Sequence, residues 1–393
     1  MRLLILILIL VVAVPVLAAE DTLPSRFTER TEDLFTEYCL PGMQAAYIVG
    51  ENAKFVTAVG LADSASRAPM TTETRLPAGS TGKTFLAAVV INLALRGVVD
   101  MDAPVSKWFE AEEGFEGEEW FDCVPNHEAM TLRLLMNHAS GVPDHLSDAG
   151  WKAELDAILD AGEARRDDYI EPRESMAYVC GDTAMFAPGE GSLYTDTAYI
   201  IAGLVAEKAT GRGFYEMAVE DFIQPLELDG ILPANTRVIP NLGCGYMPAD
   251  NPFGLPTSTL LPDGTMNHNP ALEFTGGGFV TTTEDLARWM WLLYSGRLFP
   301  EPYLEDLLLN GHPLNPERFG EGVYGLAVFV QDSDWGEVRW HSGWYPGYQT
   351  MVRYWPEHDT LVAVQVNRDY DTQLAVIAAE LAAIVLPASP AED

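Results

Sequence analysis

With 393 residues, 48% of them hydrophobic, the chain is long enough for a large core in one wide domain or two interleaved ones, and it shows no internal repeat or low-complexity linker. Its 58 acidic residues against 23 basic ones give a formal net charge of −35. A surface that negative repels phosphate backbones, which argues against a nucleic-acid partner.

Met1-Arg2 leads into an uninterrupted apolar run from Leu3 to Ala19, closed by Glu20-Asp21. A positive start, an apolar stretch and the small residues Val16, Ala18 and Ala19 describe a secretory signal over 1–19, cut after Ala18 or Ala19. An uncleaved anchor is the other reading, because the run approaches the shortest membrane spans. The expectation is an exported protein, periplasmic or secreted, with no stable membrane insertion once the signal is removed and a single domain over 20–390.

Phe27 to Tyr38 reads as a helix, and Met43–Val49 with Lys54–Val59 reads as a hairpin around Gly50-Glu51-Asn52. A helix carrying Phe85, Leu86, Val89, Val90, Leu93 and Leu95 follows Ser80 and stops near Gly97. The acidic stretch Glu110–Glu119 contains two glycines and one aromatic, so it reads as a loop, and it lacks the ligand spacing of a calcium loop. From there to about residue 270 the pattern is mostly helical, with Tyr194–Thr210 ended by Gly211 and Phe214–Phe222 as a second helix. Thr283–Tyr294 is an amphipathic helix entered through Gly276-Gly277-Gly278. Tyr324–Gln331, Glu337–Trp340, Gln349–Trp355 and Thr360–Asn367 then read as consecutive antiparallel strands, followed by a helix over Leu374–Ile384 and a loose tail. The fold class is α+β: one antiparallel sheet completed by both ends of the chain and flanked by helices. An α/β part over about 25–78 and 275–388 would carry an inserted, mostly helical part over about 79–274. Cys39, Cys123, Cys180 and Cys244 allow three pairings. Cys123 with Cys180 is preferred because both fall in the middle region, with buried free thiols as the alternative.

The stretch Leu76-Pro77-Ala78-Gly79-Ser80-Thr81-Gly82-Lys83-Thr84-Phe85 carries the chemistry. Gly82-Lys83-Thr84 matches the end of a nucleotide-binding P-loop, but Pro77 stands where its first glycine belongs and the lead-in Thr71–Arg75 is polar rather than an apolar strand. Ala78–Gly82 resembles a nucleophile elbow, which also needs a preceding strand and alternating strands and helices throughout. The third reading places Lys83 one helical turn after Ser80, on the same face, where its side chain can activate the hydroxyl.

Three more stretches follow in order: Leu134-Leu135-Met136-Asn137-His138-Ala139-Ser140-Gly141-Val142-Pro143, then Phe186-Ala187-Pro188-Gly189 with Tyr194-Thr195-Asp196, then His341-Ser342-Gly343. Together with the Ser80–Lys83 pair they resemble the β-lactamase-related serine hydrolases, a family of class C β-lactamases, D-alanyl-D-alanine carboxypeptidases, D-aminopeptidases and esterases. The resemblance spans about residues 25–370 and implies a β-lactamase/transpeptidase-like fold, an acyl-enzyme mechanism, a small-molecule or peptide substrate, and neither metal nor organic cofactor.

By this resemblance Ser80 attacks a carbonyl. Lys83 lowers the pKa of a neighbouring tyrosine or, if neutral, takes the serine proton. Tyr194 serves as general base and then acid; a phenol titrates near ~10 in water and needs positive charge beside it to act at neutral pH. The backbone N–H groups of Ser80 and Trp344 form the oxyanion hole, and the strand His341-Ser342-Gly343 lies along the substrate. The His138–Gly141 marker and the Gly276–Gly278 turn are assigned no chemistry, Asn367 is a candidate to line the site, and Trp344, Tyr345 and Tyr348 are candidates to line the acyl pocket. Two departures stand out: Asp196 replaces an asparagine, and His341 replaces a lysine. Asp196 is expected to pair with Lys83, weaken its support of a tyrosinate and move activity to the alkaline side. A mostly neutral His341 holds a substrate carboxylate less firmly, which argues against an efficient β-lactamase. The expected activity is hydrolysis of a peptide, amide or ester, with a β-lactamase or a catalytically silent binding protein as alternatives.

Overall fold

The computed structural model describes residues 21–110 and 120–388. The expected signal segment and the acidic stretch 111–119 lie outside the described residues.

Nine strands form one antiparallel sheet. They are β1 (Gly42–Val49), β2 (Ala53–Asp63), β3 (Ala68–Pro69), β7 (His312–Pro313), β8 (Val323–Tyr324), β9 (Phe329–Ser333), β10 (Gly336–Tyr345), β11 (Tyr348–Trp355) and β12 (Thr360–Val366). Their order is β3-β2-β1-β12-β11-β10-β9-β8-β7, so the N-terminal hairpin pairs directly with the C-terminal strand, from Met43 opposite Val366 to Val49 opposite Thr360. Three short strands, β4 (Leu76–Pro77), β5 (Leu232–Pro233) and β6 (Phe279–Thr281), make a second small sheet in the order β4-β6-β5.

Alternation of side chains across each strand gives the large sheet two apolar faces. Met43, Ala45 and Tyr47 of β1, with Val362, Val364 and Val366 of β12, face α1 (Leu23–Glu37) and α10 (Leu374–Val385), which bring in Phe27, Leu34, Ile377 and Leu381. Ala46, Ile48, Leu361 and Ala363 point the other way, into a core shared with α2 (Lys83–Leu95), α6 (Asp196–Thr210) and α8 (Thr283–Tyr294). Helix α2 is buried on every side from Lys83 to Ile91, as its uniformly apolar sequence requires. Caps fix the helix starts: Thr22 for α1, Thr195 for α6 and Thr282 for α8 each accept a backbone N–H from the first turn. Gly211, at φ 69°, ends α6 in the left-handed conformation.

Three expectations change in detail, and the preferred cysteine pairing is found. Tyr324–Gln331 is a hairpin rather than one strand: the Gly325 N–H donates to the Val328 carbonyl, Ala327 takes a positive φ, and Tyr324 lies opposite Phe329. The apolar run misleads because Leu326, Ala327 and Val328 are buried as the turn itself. The helix beginning at Phe214 is regular only to Ala218 (α7) and closes as a π turn over Val219–Ile223. Tyr194 lies one residue before the α6 cap, which frees it from helical geometry. Cys123 and Cys180 are disulfide-bonded, while Cys39 is exposed and Cys244 buried as free thiols. No helix among the described residues is long and apolar enough to cross a membrane.

Candidate active site

Ser80 sits in a 3-10 turn, Gly79–Gly82, that runs directly into α2. The lysine at the start of that helix is fully buried. Its Nζ donates to Ser80 Oγ at 3.2 Å, to the Gly276 carbonyl at 2.5 Å and to Asp196 Oδ1. An ammonium has three protons to give, and all three are committed. Burial works against the charge, but the Asp196 carboxylate, with Tyr194 and Glu273, more than offsets it, so Lys83 is held above the usual lysine range. Lys83 is therefore a cation that steadies Ser80 and has no lone pair to accept its proton. The Gly276–Gly278 turn, assigned only architecture from the sequence, supplies one of the three acceptors.

Tyr194 completes the group. Its ring lies 5.1 Å under Lys83 Nζ and packs on His138 at 4.1 Å between centroids. His138 Nδ1 in turn accepts the Thr195 N–H at 3.3 Å, so the His138–Gly141 marker holds the segment bearing the tyrosine. The Tyr194 hydroxyl is buried without a completed hydrogen bond, with Ser80 and Lys83 as its polar neighbours. Burial raises its pKa; Lys83 opposes this and Asp196 reinforces it, leaving the phenol above its ordinary value. The lowering expected from Lys83 is thus outweighed chiefly by burial, with Asp196 adding to it.

The third wall is β10. Its first half, Gly336–Trp340, pairs with β9, whereas His341–Tyr345 pairs only with β11. The other edge of that second half lies against the Ser80 turn. A Cβ on Gly79, itself at φ +53°, would come within 2.7 Å of the Trp344 backbone nitrogen, and a Cβ on Gly343 would collide with the Ala78 carbonyl. Only glycines permit this approach, which brings the backbones of Ser80 and Trp344 side by side. The His341 side chain turns away from the cavity. It is buried, its Nε2 accepts from the Tyr324 hydroxyl at 2.8 Å, and its Nδ1 donates to the Ser342 carbonyl at 2.6 Å. Burial depresses its pKa to about 3, so the imidazole is neutral. The expected substrate contact through His341 is replaced by a strand-positioning role. Tyr348, bonded to Thr259 and the Gly243 carbonyl, and Asn367, bonded to Leu61 and Cys244 carbonyls, are also buried away from the site.

Ser80, Tyr194, Asp196, Trp344 and Tyr345 open on one cavity of about 310 Å³. The loop before Pro270 supplies Phe253, Leu255 and His268, and Trp151 and Leu155 come from α4 (Ala149–Asp160). Trp344, 40% exposed, packs on Phe253 at 5.9 Å. His268 fixes Tyr345 through a 2.6 Å hydrogen bond. Three lining or neighbouring charged groups went unread in the sequence. Glu273 lines the cavity, its pKa raised to about 8 by burial and by Asp196. Asp144 is raised to about 7 by the same causes in the same order. Arg318 lies on the cavity wall, stacked on Phe319. A larger groove of about 750 Å³, between the β1–β2 hairpin and α8, holds none of these groups.

A family model described as Beta-lactamase matches residues 27–386. The chain is 26% identical over 330 residues to penicillin-binding protein 4* of Bacillus subtilis (strain 168), covering 80% of this chain and 65% of that protein. Across the first relatives it matches, it spans 61–65% of their lengths. A D-amino acid amidase from Ochrobactrum anthropi SV3 superposes with a TM-score of 0.74 at 19% identity, over 92% of this chain and 98% of that one. A D-stereospecific amidohydrolase from Streptomyces sp. superposes at 0.70 with 23% identity, over 88% and 98%.

Proposed function

The chain belongs to the beta-lactamase family, and on that premise we propose that it is an exported serine hydrolase that acylates Ser80 with an amide, peptide or carboxylic ester. The observation that carries this reading is the convergence on Ser80 of a cationic Lys83 at 3.2 Å, a buried Tyr194 hydroxyl without a partner, and the unpaired edge of β10. Export rests on the apolar run from Leu3 to Ala19.

Ser80 Oγ would attack the carbonyl carbon while its proton passes to a Tyr194 phenolate, since Lys83 has no lone pair to take it. The N–H groups of Ser80 and Trp344 would hold the oxyanion as the carbonyl π bond opens. When the tetrahedral centre collapses, the C–N or C–O bond breaks and the phenol returns its proton to the leaving group. Water then repeats the sequence on the acyl-serine. Because burial and Asp196 keep the phenol protonated at neutral pH, the competent fraction grows as pH rises, and the rate climbs on the alkaline side.

β-Lactam hydrolysis is the second reading, favoured by Arg318 as a cation on the cavity wall and disfavoured by a neutral, fully engaged His341. D-amino-acid amides, suggested by the name of the D-amino acid amidase to which the chain is similar, are the first substrates to test, beside p-nitrophenyl esters and a chromogenic cephalosporin. Turnover of amides or esters that disappears in Ser80→Ala supports the proposal. Turnover confined to the cephalosporin assigns the second reading, and none at all favours a silent binding protein.

A further inference from the structure

We propose that Asn251 is a positioning residue for substrate selection: by knotting the loop over 248–255 into a roof, it sets the largest acyl group that Ser80 can take up. The proposal rests on the acyl-transfer reading of Ser80 and adds to it the residue that limits the substrate's size.

No helix or strand supports residues 248–255. Their order comes from one buried side chain. Asn251 Nδ2 donates to the Pro248 carbonyl at 3.1 Å and to the Leu255 carbonyl at 2.7 Å. Its Oδ1 accepts the N–H groups of Phe253 at 3.3 Å and Leu255 at 3.0 Å. A carboxamide has two protons to give and two lone pairs to fill, so its whole capacity is spent inside this loop. The turn it closes passes through Gly254 at φ +62°, whose N–H donates to the Asn251 carbonyl at 3.2 Å.

The knot presents Phe253 and Leu255 to the cavity, whereas Asn251 itself does not line it. Phe253 packs on Trp344 of β10 on one side and on the Trp151–Leu155 cluster of α4 on the other, so it bridges two walls. The second half of the same loop is fastened separately, His268 to Tyr345 and Thr259 to Tyr348, each at 2.6 Å. Loosening Asn251 therefore shifts the roof and leaves the His268–Tyr345 wall in place. The space beneath is about 310 Å³. A four-carbon chain fits there, but a twelve-carbon chain, at about 30 Å³ per carbon (the share of one water in the liquid), needs more room.

The test reads labelling of Ser80 by p-nitrophenyl phosphonates bearing a methyl, butyl or dodecyl chain on phosphorus. Each label forms an Oγ–P bond and releases p-nitrophenolate, and the methyl compound, too short to reach the roof, is the reference within every variant. The wild type is expected to take the butyl compound about tenfold or more faster than the dodecyl one. Asn251→Ala should shrink that preference by about tenfold, Phe253→Ala should do the same, and the double variant should go no further, because Asn251 acts through Phe253. Where Asn251→Ala does not fold, Asn251→Asp, which keeps both accepted N–H groups and loses both donations, should show a smaller loss of preference. No preference in the wild type, an unchanged preference in the Asn251 variants, equal slowing with all three compounds, or additive effects with Phe253→Ala overturn the roof and leave the hydrolase reading intact. Failure of the methyl compound to label wild-type Ser80 removes the hydrolase reading and the roof together.

Discussion

The layer between the sheet and helices α1 and α10 differs in kind from the cleft at the start of α2. The first is closed by Phe27, Tyr47, Trp355, Ile377 and Leu381, with the Arg30–Glu380 ion pair between its two helices. The second gathers Lys83, Asp196, Asp144 and Glu273, and leaves Asn137 Oδ1, His138 Nε2, Asp144 Oδ1 and Tyr194 Oη buried without hydrogen-bond partners. Stability comes from a region where local preferences agree, and chemistry is placed where they conflict. The conflict persists because the surrounding structure over-determines it: a helix buried on every side, a capped α6 and glycine contacts at Gly79 and Gly343 hold the charged groups in place.

The comparison breaks most visibly at Lys83. Lys83→Met is predicted to lower kcat/KM by about 10³-fold or more, read on whichever ester or amide the wild type turns over best. Retention of a tenth of the activity would place the chemistry elsewhere. The converse substitution lies in the outer layer. Ile377→Ala should cost about 2–5 kcal/mol in denaturant unfolding through the cavity it leaves, with kcat/KM per folded molecule unchanged. A large activity loss there would mean that the two regions are not separable.

Smaller effects sharpen the electrostatic side. Asp196 helps to hold the Tyr194 phenol protonated, second among the raising influences to burial itself. Asp196→Asn should therefore shift the alkaline limb of the kcat/KM profile to lower pH. An unmoved limb would dissociate Asp196 from the tyrosine. Glu273 supplies the smallest effect. Its pKa rises from 4.5 to about 8 on folding, so the folded state retains a proton that the unfolded chain has lost. Its favourable contribution is complete below pH 4.5 and disappears as pH climbs to 8. The melting temperature of Glu273→Gln should thus gain on the wild type across that window, by on the order of 2 °C per kcal/mol. The buried neutral histidines His138, His145, His268 and His341 lower stability below pH 6.5 in both proteins and cancel from the difference. Parallel melting curves would show that Glu273 titrates normally.

Much of the outer layer was legible in the sequence because strand alternation and helical spacing are local signals. The hairpin at Gly50, the helix over Thr283–Tyr294 and the last three strands follow from such patterns. The Ser80–Lys83 pair was legible for the same reason, as one helical turn. The chemistry around it was only partly so. Asp196 announced itself by standing in place of an asparagine beside Tyr194, but Glu273 sits in an unremarkable turn before three glycines, and its importance depends on where Lys83 and Asp196 lie in space. Arg318, 23 positions before His341, carries no local mark of the cavity it lines. His341 was misjudged because a strand pattern does not reveal that Tyr324, folded back on a hairpin, occupies the imidazole.

The central claim, that Ser80 is a nucleophile activated by this buried charged cluster, is tested most directly by covalent labelling followed by peptide mass mapping. An activated phosphonate should add one label to the wild type, located on the peptide bearing Ser80, more rapidly at alkaline than at neutral pH, and none to Ser80→Ala. A label on another residue, or equal labelling of Ser80→Ala, would contradict the account.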